Sequence, residues 1–145
     1  MSDFRQLTDS VYASPQIGVA DLATAEALGV RLVINNRPEG ETEDQTPGAE
    51  IEAAARGAGM DYLAIPVTMQ SLSEADVASM AQALGEAPGP VLAYCRSGTR
   101  STLLWALAQS KRGVDPDETA AAAEAAGYDV SPVRAAMDAL AAQGR

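Results

Sequence analysis

Apolar residues fall along the chain in two alternating rhythms: short runs of β-branched and apolar residues, and longer stretches with apolar positions three or four apart. Phe4 to Ser14 reads as a short N-terminal strand region ending at Ser14-Pro15. Ala20 to Leu28 is helical in pattern, with Leu22, Ala25 and Leu28 on one face and Gly29 as its stop. Arg31-Leu32-Val33-Ile34-Asn35 has the composition of a strand buried on both faces. Asn36 to Gln45 is a polar loop. Thr46-Pro47 then offers an N-cap followed by proline at the first helical position, for a helix from about Pro47 to Ala58.

Asp61 to Val67 is the next strand. Ser73-Glu74-Ala75-Asp76 has capping-box character, with Asp76 in place of the usual Glu or Gln. It opens a helix to about Glu86 with Val77, Met80, Ala81 and Leu84 on one face. Ala87-Pro88-Gly89-Pro90 breaks that helix and leads into the strand Pro90-Val91-Leu92-Ala93-Tyr94. A long run of helix formers follows, Thr102 to Ala108. Asp115-Pro116-Asp117-Glu118 and Ser131-Pro132 predict two further helices, Pro116 to Ala126 and Pro132 to Ala142. Strands alternate with helices through residue 112, so the expected fold is α/β, a mainly parallel central sheet flanked by helices with a helical C-terminal tail.

Composition narrows the possibilities. A chain of 145 residues is expected to form one domain, 1–145, and to bury about two-thirds of its unfolded surface. No apolar run approaches the roughly 18 residues that cross a bilayer, and the N-terminus lacks the pattern of a signal peptide. A soluble, cytoplasmic protein is expected. The net charge of −10 opposes binding to nucleic acid or anionic membranes. With no histidine, Ser-His triads, Cys-His dyads and His-based metal sites are excluded, and neither metal nor cofactor is called for.

Against this acidic background, the single cysteine stands between a strand and a helix beside two arginines, in Tyr94-Cys95-Arg96-Ser97-Gly98-Thr99-Arg100-Ser101. A loop entering a helix converges backbone N–H groups and the positive helix end on one point, which suits an anion and favours a thiolate. Cys95 is the candidate nucleophile and Arg100 the fork for an oxyanion. Arg96, Ser97, Gly98 and Thr99 form the anion-binding loop, where Gly98 allows a sharp turn and close approach. Ser101 is placed to bond the thiolate or cap the helix. Arg37, just past a central strand, is a further anion-binding candidate. An inert core cysteine would not usually be followed by two arginines and a tight turn within six residues. Glu41, Glu43 and Asp44 could face the site, although acidic loop residues are usually just solvated. Asp76 is better read as a cap.

Cys95 to Ser101 resembles both the active loop of rhodaneses and the phosphate loop of cysteine phosphatases. Leu7 to Gln16, Leu32 to Glu41, Ile65-Pro66-Val67 and Gly89 to Ser101 occur in an order that resembles the bacterial phosphatase-like domain of beta-lactamase hydrolase-like proteins. That resemblance covers nearly the whole chain. It implies a tyrosine-phosphatase-like fold of dual-specificity type, and an activity described for the family as phosphatase-like or as sulfur transfer. It also implies possible partners, a persulfide dioxygenase or a sulfide:quinone oxidoreductase.

Three departures from the phosphatase pattern bear on the chemistry. Four residues, not five, separate Cys95 from Arg100; Tyr94 replaces the usual histidine; and Thr68-Met69-Gln70 carries no acid where phosphatases protonate the leaving alkoxide. Sulfite or a thiolate leaves without such help, whereas an alkoxide gains about 10²–10⁴-fold from it. The expected activity is therefore rhodanese-like sulfur transfer, from thiosulfate or glutathione persulfide through a Cys95 persulfide to a thiol or cyanide. The alternatives are a phosphatase acting through phosphocysteine, and a non-catalytic anion- or persulfide-binding module.

Overall fold

A computed structural model describes residues 2–143. The strands are β1 (Arg5–Thr8), β2 (Val11–Ser14), β3 (Leu32–Asn35), β4 (Asp61–Ala64) and β5 (Val91–Tyr94). The helices are α1 (Asp21–Ala27), α2 (Gly48–Gly57), α3 (Glu74–Glu86), α4 (Thr99–Lys111), α5 (Pro116–Ala125) and α6 (Arg134–Gln143). The strands form one sheet in the order β1-β2-β5-β3-β4, antiparallel between β1 and β2 and parallel elsewhere. It is a mainly parallel α/β sheet with helices on both faces.

Side-chain alternation sorts the two faces. Val33, Leu92 and Tyr94 pack with Leu22, Ala25, Ile51 and Ala55 of α1 and α2. Leu32, Ile34, Val91 and Ala93 point the other way, into a larger core with Met80, Leu104, Trp105 and Met137 from α3, α4 and α6. All four residues of β3 and of β5 are buried, which is why these segments read as unbroken apolar runs. In α4, nine of thirteen residues are buried, so the helix that follows Cys95 is held by packing along most of its length.

The differences from the expected elements have local causes. Phe4 to Ser14 is a hairpin, not a single strand region: Asp9-Ser10 turns the chain, and the Ser10 N–H donates to Thr8 Oγ1 at 3.1 Å. Neither turn residue is a glycine, so the usual hairpin signal is missing. The strand from Asp61 stops at Ala64, before Pro66, which has no N–H to give the ladder. Pro47 is itself the N-cap of α2, and Thr46 supplies no cap. The Glu39 carboxylate accepts from the Gly48 N–H at 2.8 Å instead. The last helix is preceded by a 3₁₀ turn, Ser131–Val133, and starts at Arg134. The capping box of α3 forms as expected: the Asp76 N–H donates to Ser73 Oγ at 3.1 Å and the Ser73 N–H to Asp76 Oδ2 at 3.2 Å. No described helix is long and apolar enough to cross a membrane.

The parallel strands all run the same way, so their carboxyl ends lie along one rim. Residues following β2, β3, β4 and β5 meet there, the position at which open α/β sheets bind ligands.

Candidate active site

At the end of β5 the Cys95 N–H donates to the Ser14 carbonyl at 3.3 Å, and the Gln16 N–H donates to the Arg96 carbonyl at 3.2 Å. These two bonds tie the loop to the end of β2. The chain then turns at Gly98, whose φ of 92° lies in the left-handed region. A Cβ at that position would run into the hydroxyl of Tyr128. The turn brings the Gly98 N–H to 3.1 Å from Cys95 Sγ. Thr99 and Ser97 close the loop, the Thr99 N–H donating to Ser97 Oγ at 3.3 Å. Cys95 is fully buried, at the base of the loop, and Arg96 points to solvent.

Arg100 is held on one edge only. Its Nη1 donates to Glu41 Oε2 at 2.7 Å and to the Val67 carbonyl at 3.0 Å, and its Nη2 donates to Glu41 Oε1 at 2.8 Å. A guanidinium has five N–H donors, so its side edge, Nε–H with one Nη2–H, has no oxygen acceptor among the described residues, and the Cys95 sulfur lies near the guanidinium. That edge is a second fork of the kind that grips two oxygens of one anion. The Glu41 bond raises the pKa of Arg100, and the nearby Cys95 acts in the same direction.

Arg37 is 4% exposed and sits behind this pair. It donates to Glu41 Oε1 at 2.9 Å, Gln16 Oε1 at 3.0 Å and Thr42 Oγ1 at 3.2 Å. Each of its three nitrogens has one of these partners, and through Glu41 Arg37 shapes the candidate anion site. Of the acidic loop residues that could face the site, Glu41 bridges both arginines. Arg100 first, then Arg37, hold its carboxyl down to about 2. Glu43 is exposed. Asp44 accepts from the Thr42 hydroxyl at 2.6 Å, which lowers its pKa. Asp76 is committed to its cap.

Ser101 neither bonds the thiol nor caps α4. It is fully buried and donates to Asn36 Oδ1 at 2.8 Å, while Asn36 Nδ2 donates to the Ile65 carbonyl at 3.0 Å. That chain of bonds locks the start of α4 to the ends of β3 and β4. Tyr94 and Trp105 are core residues. Gln16, Asn36, Val67 and Tyr128 were not anticipated at the site. Glu41 stood four residues from Arg37 in the polar loop, a spacing that hinted at the pair.

Taken together, the Gly98 N–H favours negative charge on the Cys95 sulfur, and the side edge of Arg100 can take two oxygens of an anion beside it. Residues 3–112 match the family described as beta-lactamase hydrolase-like protein, phosphatase-like domain. The chain belongs to that family. A beta-lactamase hydrolase-like protein of Xylella fastidiosa is 42% identical over 104 residues, 70% of this chain. The alignment takes in 24% of that relative, and 22% of a similar one from Agrobacterium fabrum, so the chain spans about a quarter of these curated proteins. The crystal structure of a candidate phosphatase from Neisseria meningitidis superimposes with a TM-score of 0.84 at 35% identity, covering 97% of this chain and 99% of that one. PTPMT1 shares the fold at 17% identity, with a TM-score of 0.71 over 98% of this chain and 99% of its own. The phosphatase-like domain thus has a tyrosine-phosphatase-like fold, and its site has the form of a cysteine-based enzyme.

The Glu41 bridge makes the domain's stability depend on acid. A carboxyl held at about 2 when folded, against 4.5 unperturbed, stabilises the fold above pH 4.5 and loses that contribution as pH falls towards 2. Allowing for the 26% exposure of its side chain, Glu41→Gln is expected to cost about 1–2 kcal/mol near neutral pH. Urea unfolding as a function of pH checks this: the two curves should converge below pH 4.5, and a constant gap down to pH 2 would mean that the bridge does not form.

Proposed function

We propose that the domain is a cysteine-dependent phosphatase acting on aryl phosphate monoesters. The observation that carries this reading is the side edge of Arg100, without an oxygen acceptor and beside the Cys95 thiol, on a phosphatase-like fold. That edge takes phosphoryl oxygens, while the Gly98 N–H donates to the Cys95 sulfur. The Cys95 thiolate attacks phosphorus, the S–P bond forms as the P–O bond breaks, and the aryl oxide leaves to take a proton from solvent. Water then attacks phosphorus and the S–P bond breaks. Phosphate departs, the thiolate is restored, and the proton of water passes to bulk.

The leaving group follows from the side chains present. Thr68, Met69 and Gln70 bring no carboxyl after β4, and Glu41, with its carboxyl held at about 2, is ionised and cannot donate a proton at neutral pH. A phenol, with a pKa near 10, departs as its anion far more readily than an aliphatic alcohol does. Aryl phosphates are therefore preferred to alkyl phosphates.

Sulfur transfer is the second reading, favoured by the four-residue spacing between Cys95 and Arg100 and by the same lack of an acid. In it, Cys95 takes the outer sulfur of thiosulfate, the S–S bond breaks and sulfite leaves. The family and the Neisseria structure support the phosphatase reading over this one. Both are tested by giving the domain para-nitrophenyl phosphate or thiosulfate and reading product release together with the mass added at Cys95. Phosphate release with a trapped phosphocysteine is the expected result. Sulfur added at Cys95 with no phosphate release would overturn it, and neither adduct would leave a binding module.

A further inference from the structure

We propose that Tyr128 is a positioning residue that sets which end of the Ser97–Gly98 peptide faces Cys95. The two ends of that peptide are both engaged. Its N–H, from Gly98, donates to Cys95 Sγ at 3.1 Å, and its carbonyl, from Ser97, accepts from the Tyr128 hydroxyl at 3.2 Å. In a trans peptide these groups point in opposite directions, so a donor on the carbonyl side keeps the N–H on the sulfur side.

The need for such a pin lies in Gly98. Rotation of the 97–98 peptide changes φ of Gly98, and glycine populates both signs of φ about equally well. Left to itself, this peptide can turn over and present its carbonyl oxygen, a negative dipole end, to the thiolate and to any bound anion. The neighbouring peptides are held by other groups: the Arg96 carbonyl by the Gln16 N–H, and the Gly98 carbonyl by the Thr102 N–H and hydroxyl.

Tyr128 is built to do this. It is 8% exposed, its N–H donates to the Ala123 carbonyl at 2.9 Å, and the Arg5 guanidinium lies 5.1 Å from its ring centroid. Its hydroxyl occupies the space a side chain at residue 98 would need, so the glycine that permits the turn also admits the group that fixes it. Tyr128 lies outside residues 3–112, beyond the segment that matches the family. The inference rests on Cys95 being the reactive group and not on the electrophile it attacks.

The test is Tyr128→Phe, which keeps the ring and removes the donor. When only part of the population has the competent loop, apparent affinity falls by that fraction and saturating ligand restores it. The expected results are a tungstate affinity about 5- to 10-fold weaker by calorimetry, and slower alkylation of Cys95 by iodoacetamide at neutral pH by a similar factor. On aryl phosphate, KM should rise by that factor with kcat within about twofold of wild type. Tungstate affinity and alkylation within twofold of wild type would overturn the proposal, as would losses that merely follow a fall in melting temperature. Because neither of those measurements needs turnover, the proposal can be decided even if the domain hydrolyses no phosphate, an outcome that would count against the phosphatase reading alone.

Discussion

Cys95→Ser is expected to lower aryl phosphate turnover by at least about 10³-fold while leaving tungstate binding within about threefold of wild type. The two halves of that expectation come from different parts of the loop. Turnover needs a nucleophile that is ionised near neutral pH, and a serine hydroxyl with no histidine in the chain to deprotonate it cannot take that role. Anion binding needs the donors around the sulfur. Arg100 remains, and the loop keeps its shape because the Gly98 N–H can donate to a serine oxygen as it does to Cys95 Sγ at 3.1 Å. The exchange is nearly isosteric, so the fully buried site should keep its packing, and the melting temperature should change little. Steady-state assays with calorimetry on the same preparation measure both halves. Retained turnover would remove Cys95 from the mechanism, whereas loss of both properties would mean that the loop had collapsed.

What could be read from the sequence was whatever is written within a few residues. The capping box at Ser73 and Asp76 closes over three positions, the breaker Ala87 to Pro90 stops α3 and introduces β5, and the Cys95–Arg100 loop declares itself between strand and helix. The architecture followed because β3 and β5, buried on both faces, must be nearly continuous apolar runs. What escaped depends on topology. Glu41 is 59 positions from the Arg100 it bonds, Asn36 is 65 from Ser101, and Tyr128 is 31 from Ser97. Local reasoning assigns an acidic loop residue to solvent and a serine at a helix start to capping. Only the convergence of strand ends on one rim turns the first into a bridge between two arginines and the second into a buried tie. The preference for sulfur transfer has the same origin: it weighed loop length and a missing acid, both local, against a phosphatase fold that belongs to the chain as a whole.

Arg100→Lys is expected to lower kcat/KM on aryl phosphate by about 10²–10³-fold, although the charge is kept. Arg100 presents two forks at once, one bonded to Glu41, with the Val67 carbonyl on Nη1, the other without an oxygen acceptor and near Cys95. An ammonium group has three donors on one nitrogen and no second edge. If the substituted ammonium reaches the carboxylate, it cannot also hold two oxygens of the transferring group in fixed geometry. If it turns to the phosphoryl group, Glu41 is left facing the same site with its negative charge uncompensated on that side. The two single variants should therefore not be additive. Once Arg100→Lys has removed the fork that Glu41 orients, adding Glu41→Gln should cost little further or even recover some activity, by taking away a carboxylate that competes with the substrate. A double-mutant cycle on kcat/KM for Glu41 and Arg100 measures this. Strictly additive losses would show that Glu41 acts on the reaction independently of Arg100, and equal activity of lysine and arginine at position 100 would show that charge alone, without the two-edged geometry, is what the site requires.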